Sequence, residues 1–164
     1  MRWVCSCRTG QAQYARVPFV SDLPTRSTPK ASSAEARKRM QATKGRDTKP
    51  ELVIRSKLHR MGFRFRVDLP LIPGSRKRAD IVFPSARVAV FIDGCFWHGC
   101  PLHRSWPKQN GEFWRTKIEA NIRRDMDSNA ALTELGWQVI RIWEHERLDA
   151  AIERIIEAVR PTIR

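Results

Sequence analysis

The chain is short of acidic side chains. Its 17 Asp and Glu stand against 31 Lys and Arg, a formal charge of +14 over 164 residues. The excess runs along the whole length rather than in one tail, which points to a polyanionic partner; a basic surface serving only solubility is the blander reading. Cysteines are few, at Cys5, Cys7, Cys95 and Cys100, and fit no evenly spaced disulfide framework. No apolar run is long enough to span a bilayer, so no membrane partner is expected. The opening MRWVCSCRTG lacks an apolar core before Arg8, which argues against a secretory signal and for a reducing cytoplasm. Internal repeats are absent too, and the length suits one domain that buries a core without staples.

Residues 1–34 are rich in Ser, Thr, Pro and Arg without helical or alternating period. They read as a flexible basic extension ahead of a domain over 35–164; Cys-x-Cys at Cys5 and Cys7 is a weak metal signal. RKRMQATKGR reads as a short helix and loop, a candidate phosphate-contacting arm. Thr48 as cap and Pro50 in the first turn predict a helix closed by Gly62, with Leu52, Val53, Leu58 and Met61 on one face. FRFRV predicts a strand, and ADIVF and RVAVFID, parted by Pro84-Ser85-Ala86, predict a central antiparallel hairpin. A long helix closed by Gly136, a strand WQVIRIW and a final helix follow. Together they predict an α/β fold, a mixed sheet flanked by helices.

The chemistry concentrates in FIDGCFWHGCPLHRSW, residues 91–106. Cys95, Cys100 and His103 have the spacing Cys-x4-Cys-x2-His, and His145 follows the last strand; the four make a candidate structural zinc site, against two buried thiols and two surface imidazoles. His98 lies in the same loop and is not needed for that set, which frees it as a candidate general base. Asp80 opens an apolar strand, where a carboxylate needs a cation or a turn to cap. With Asp93 at the neighbouring strand end and a strand-end carbonyl, it would suit Mg²⁺, Asp93 being equally a turn residue. On the long helix Trp114, Asn121 and Asp125 share a face flanked by Lys117 and Ile118. Trp114 and Asp125 stand roughly 16 Å apart along its axis, so one can meet DNA while the other orients His98; a core Trp and a salt-bridged Asp are the alternative. Phe96, Trp97, Trp106 and Trp114 amid positive charge suit unstacking of a duplex.

RDTKPELVIRSKLHRMGFRFR, RADIVF, VAVFIDGCFWHGCP, FWRTKIEANIRRD and LGWQVIRIWEHE, taken in order, resemble the very-short-patch-repair (Vsr) DNA mismatch endonuclease family over about residues 36 to 146. The resemblance implies a restriction-endonuclease-like fold, nicking of one strand beside a T:G mismatch in double-stranded DNA, catalytic Mg²⁺ and a structural Zn²⁺. By position it implies that Asp80 binds metal, His98 is the catalytic histidine and Asp125 its carboxylate partner. Glu51 then helps hold metal-bound water, and Ile92 coordinates through its backbone carbonyl. Phe96, Trp97 and Trp114 become wedging aromatics, with Lys117 and Arg124 as further DNA contacts. Other mismatch-repair proteins are expected partners, and a nick at an asymmetric mismatch needs only a monomer, cytoplasmic and nucleoid-associated. Two departures stand out: Ala79 precedes Asp80 where Pro is frequent, and His103 and His145 stand where Cys can occur. A nuclease without mismatch specificity and a non-catalytic zinc-stabilised DNA-binding module are the rival readings; the second leaves Asp80, Glu51 and Asp125 without a role.

Overall fold

The computed structural model describes residues 33–35, 37–38, 45–103 and 106–160. The Cys5 and Cys7 reading, most of the basic extension and most of the RKRMQATKGR arm lie outside them. The first long helix, α1 (Lys49–Arg60), starts where the cap signals put it. The Thr48 N–H and hydroxyl both donate to Glu51 Oε1, at 3.3 and 2.8 Å, a capping box that settles the first turn. Gly62, with φ of 87°, takes the left-handed turn that ends it.

Four strands follow: β1 (Arg66–Pro70), β2 (Arg78–Phe83), β3 (Val88–Asp93) and β4 (Gln138–Trp143), in that spatial order. β1 and β2 are antiparallel, as are β2 and β3, the predicted hairpin paired from Ile81↔Val90 to Phe83↔Val88. The crossover helix α2 (Gly111–Glu134) returns the chain so that β4 runs parallel to β3, Val88↔Gln138 through Asp93↔Trp143. The last helix is α3 (Leu148–Val159). β1 starts three residues later than FRFRV predicts, because Phe63 and Phe65 turn edge-on against Phe83 instead of joining the ladder.

Two apolar layers sandwich this mixed sheet. Ile81, Phe83, Val88, Val90, Ile140 and Ile142 bury one face against α1 and α3, through Ile54, Leu58, Ile152 and Ile155. Ala79, Val82, Ala89 and Phe91 bury the other with Leu132 of α2. On α2 the buried residues are Trp114, Ile118, Asp125 and Leu132; of the face read from the spacing, Trp114 and Asp125 are buried and Asn121 is half-buried. On α1 the prediction of the buried face is wrong. Leu58 is buried, but Leu52, Val53 and Met61 are exposed, and Glu51 and Ile54 complete the inward stripe at the i, i+3, i+7 spacing that two turns allow. No helix among the described residues is long and apolar enough to cross a membrane.

Alternation along β2 breaks at Asp80. Ala79 has the parity of Ile81 yet lies in the opposite cluster. Between the pairs Val67↔Ile81 and Leu69↔Ala79, Asp80 stands opposite Asp68, whose φ is 52°. At this kink the Asp80 carbonyl accepts from Arg55 of α1 at 3.3 Å. Truncating Leu58 to Ala should cost about 2–5 kcal/mol in denaturant unfolding, while Leu52→Ala should cost well under about 1 kcal/mol. Equal losses would contradict the observed burial.

Candidate active site

At the carboxyl end of β3 the loop over residues 94–100 folds back on α2. Gly99 makes the approach possible: its φ is +64°, and a Cβ there would meet Ile122 Cδ1 at 2.7 Å and Ile118 Cγ2 at 3.1 Å. Asn121 of α2 donates to the Trp97 carbonyl at 2.9 Å, and the Cys95 N–H donates to Glu144 beyond β4 at 2.7 Å. The loop is therefore tied to both a helix and the parallel strand pair.

Its outer side gathers Cys95, Cys100, His103 and His145, whose ligand atoms all lie within 4.8 Å of one another. The four sulfur-to-Nδ1 separations run from 3.0 to 4.0 Å, around the roughly 3.6 Å expected between S and N ligands arranged tetrahedrally at ordinary zinc bond lengths. Both thiols are buried and both imidazoles exposed. Burial, with the adjoining Cys100 thiol, pushes the Cys95 thiol up to about 11, the strain that a shared cation relieves. The donor set fits a tetrahedral ion.

On the inner side His98 Nδ1 lies 2.5 Å from Asp125 Oδ2 and 3.5 Å from Asp93 Oδ1. A proton on Nδ1, donated to Asp125, leaves Nε2 with the lone pair. Burial alone would raise the Asp125 carboxyl, but hydrogen bonds from His98 and Lys77 and the Arg141 charge outweigh it and hold it well below the ordinary carboxylate range.

The kinked Asp80 takes the Ile92 N–H on Oδ2 at 2.7 Å. In an extended strand a residue's N–H and C=O face the same flank, so the Ile92 carbonyl is turned toward Asp80; the Asp93 carbonyl faces the other way and accepts from Glu144 N–H. Burial pushes Asp80 up to about 6. The Glu51 and Asp93 charges push the same way, while the Ile92 hydrogen bond and Arg55 oppose them. Glu51 and Asp80 thus share Arg55 as their cation, Asp93 being paired with Arg141, and the charge left over is one that a divalent ion would fill. Glu51 is nevertheless fully engaged, accepting from Asp47 N–H at 3.0 Å, from Thr48 and, at 2.7 Å, from Arg55.

Above the loop the rings of Phe96, Trp97 and Trp114 pack edge-on with centroids 5.1 to 5.9 Å apart. Lys117 Nζ stands 5.6 Å from Trp97 and 5.5 Å from Trp114. Phe96 and Trp97 are half-buried, whereas Trp114 is buried beneath them. Arg124 is exposed on α2 and donates to Asn121.

A metal-suited loop, a carboxylate-held imidazole and a kinked acidic strand are thus assembled at one end of the sheet. The family model described as DNA mismatch endonuclease Vsr matches residues 29–106. The type II nicking enzyme V.NaeI of Lentzea aerocolonigenes is 43% identical over 133 residues, 80% of each chain. V.XorIIP of Xanthomonas oryzae is 42% identical over 124 residues, 74% of this chain and 88% of that one. The DNA mismatch endonuclease Vsr of Escherichia coli is 40% identical over 109 residues, 65% and 67% of the two chains. The chain belongs to the Vsr family. It is a DNA endonuclease, a hydrolase of phosphodiester bonds.

Two cations at this Vsr-family site escape a reading of motifs. Arg141 forms a two-pronged ion pair with Asp93, at 2.5 and 2.7 Å, and reaches Asp125 at 3.2 Å. Lys77, three residues before Asp80, pairs with the other Asp125 oxygen. The signal for Arg141 is a charge interrupting the apolar strand VIRIW, on the face that Asp93 shares. Asp93, His98 and Asp125 lie close enough together to hold an ion, yet Arg141 and Lys77 already neutralise both carboxylates. Because its folded value lies below the ordinary 3.8, Asp125 contributes stability in full above about pH 4 and loses that contribution as pH falls below it. The gap in Tm between wild type and Asp125→Asn should therefore narrow between pH 7 and pH 3. A constant gap would mean that the carboxylate charge carries none of it.

Proposed function

We propose that this chain nicks one strand of duplex DNA beside a T:G mismatch by Mg²⁺-dependent hydrolysis. The observation that carries the reading is the 2.5 Å contact of His98 Nδ1 with Asp125, beside a strand end where Asp80 accepts the Ile92 N–H. Asp80 and the Ile92 carbonyl would hold Mg²⁺, with Glu51 adding negative charge at the same place. When bound, the ion stabilises charge on the phosphoryl and leaving oxygens. His98 Nε2 takes a proton from the attacking water, and Asp125 stabilises the imidazolium that results. The bond from water oxygen to phosphorus forms as the bond to the leaving sugar oxygen breaks.

Cys95, Cys100, His103 and His145 would hold Zn²⁺, leaving no open position, so that ion shapes the loop rather than activating water. The shaped loop carries His98 on one side and Phe96 and Trp97 on the other. Those rings, backed by Trp114, suit a wedge beside an unstacked pair, with Lys117 and Arg124 on the backbone phosphates. The names of the nicking relatives support single-strand cleavage, and that of the Escherichia coli relative supports the mismatch. One nick at an asymmetric lesion asks for one active site, so a monomer suffices.

Labelled duplexes that differ only in a T:G or T:A pair, incubated at fixed salt with Mg²⁺ or with EDTA, test the reading. Cutting of the T strand of the T:G duplex alone, abolished by EDTA, is expected; equal cutting of both duplexes would leave a nuclease without mismatch specificity. Asp80→Ala should abolish nicking while duplex binding persists, and His98→Ala should lower the rate about 10²–10⁴-fold. Stripping zinc with a strong chelator should lower Tm; an unchanged Tm in protein shown to bear no metal would remove the structural role.

A further inference from the structure

Arg141 is the most heavily tied cation at the site, and the hydrolytic scheme gives it nothing to do. Its Nε and Nη2 grip both oxygens of Asp93, Nη2 also reaches Asp125, and Nη1 donates to Asn129 at 3.1 Å. Its guanidinium lies 5.2 Å from the Phe91 ring centroid. The two carboxylates it joins come from different elements, Asp93 from the end of β3 and Asp125 from α2. Both are almost wholly buried, and both face His98 Nδ1. Without a cation between them, two buried carboxylates on adjacent elements would repel and part. Lys77 meets only the outer oxygen of Asp125, with its side chain 29% exposed, and cannot bridge the two.

We infer that Arg141 is a positioning residue: it clamps Asp93 to Asp125 and so fixes the orientation in which Asp125 holds His98. The inference rests on the reading of His98 as general base and deepens it. Its guanidinium is taken up by Asp93, Asp125 and Asn129, so it acts through Asp125. Planar geometry matters here, because a fork can meet two carboxylates at once where an ammonium is a single point of charge.

The test is a double-mutant cycle on the full chain, reading the single-turnover nicking rate on a T:G duplex and, separately, the dissociation constant for that duplex. Arg141→Ala should lose on the order of 10–10² in rate, the scale of a misplaced catalytic group, with DNA affinity changed less than about threefold. In the Asp125→Ala background the same substitution should cost less than about twofold, because the group it acts through has gone. Arg141→Lys, which keeps charge and bulk, guards against a folding defect and should give a rate between wild type and Arg141→Ala at a Tm near wild type. An equal loss in both backgrounds, an unchanged rate in Arg141→Ala, or a loss confined to DNA affinity would each overturn the inference. His98→Ala serves as the reference: if it still nicks at the wild-type rate, the general-base reading has failed, whereas an inactive His98→Ala beside a fully active Arg141→Ala means that the clamp alone has failed.

Discussion

The site hangs on the carboxylate of Asp125. One oxygen meets Lys77 from the turn before β2; the other meets His98 from the loop after β3 and Arg141 from β4. Turn, loop, strand and helix α2 are thus cross-linked through one buried group. Such a tie is stabilising only when complete, since a buried carboxylate that loses its cations keeps its desolvation cost. The arrangement is correspondingly brittle, and it holds an imidazole ring where loop backbone alone would let it turn.

Parallel pairing makes this convergence possible. Because β4 lies beside β3 in register, Asp93 and Arg141 meet on one face of adjacent strands, and the crossover that such a pairing requires lays α2 over that face. The Cys/His cluster acts at the same end, joining the loop to the segment just past β4, while the Asn121 contact and the close approach at Gly99 secure it to α2. An apolar sheet with two covered faces supplies the rigidity, and the polar groups are confined to its carboxyl edge, where ligands of open α/β sheets are commonly met.

Much of this was legible in the chain. Short spacing between ADIVF and RVAVFID left room only for a hairpin, and a helix between two apolar strands required a crossover; both are observed. Cys95, Cys100 and His103 were identifiable because ligand spacing within a loop survives whatever the fold does to distant parts, and His145 because it directly follows a strand whose end the fold brings beside that loop. What the chain concealed was nonlocal or depended on azimuth. The buried stripe of α1 was misjudged because Leu52, Val53 and Met61 are as apolar as Ile54, and only the placement of the sheet decides between faces. Arg141 and Lys77 carry no motif: their meaning comes from carboxylates 48 residues away. The kink at Asp80, which separates its side chain from the strand's alternation, depends on the left-handed residue opposite and not on its own neighbours.

If Asp125 orients His98 as the 2.5 Å contact indicates, it also fixes which ring nitrogen carries the proton. Nitrogen-15 NMR of the His98 ring, in the metal-loaded protein at a pH where the ring is neutral, reads this directly. The expected tautomer carries the proton on Nδ1 with a bare Nε2, converting to a mixture in Asp125→Asn. A ring protonated on Nε2 in the wild type would leave no lone pair facing the water, and would contradict the assignment of His98 as the base.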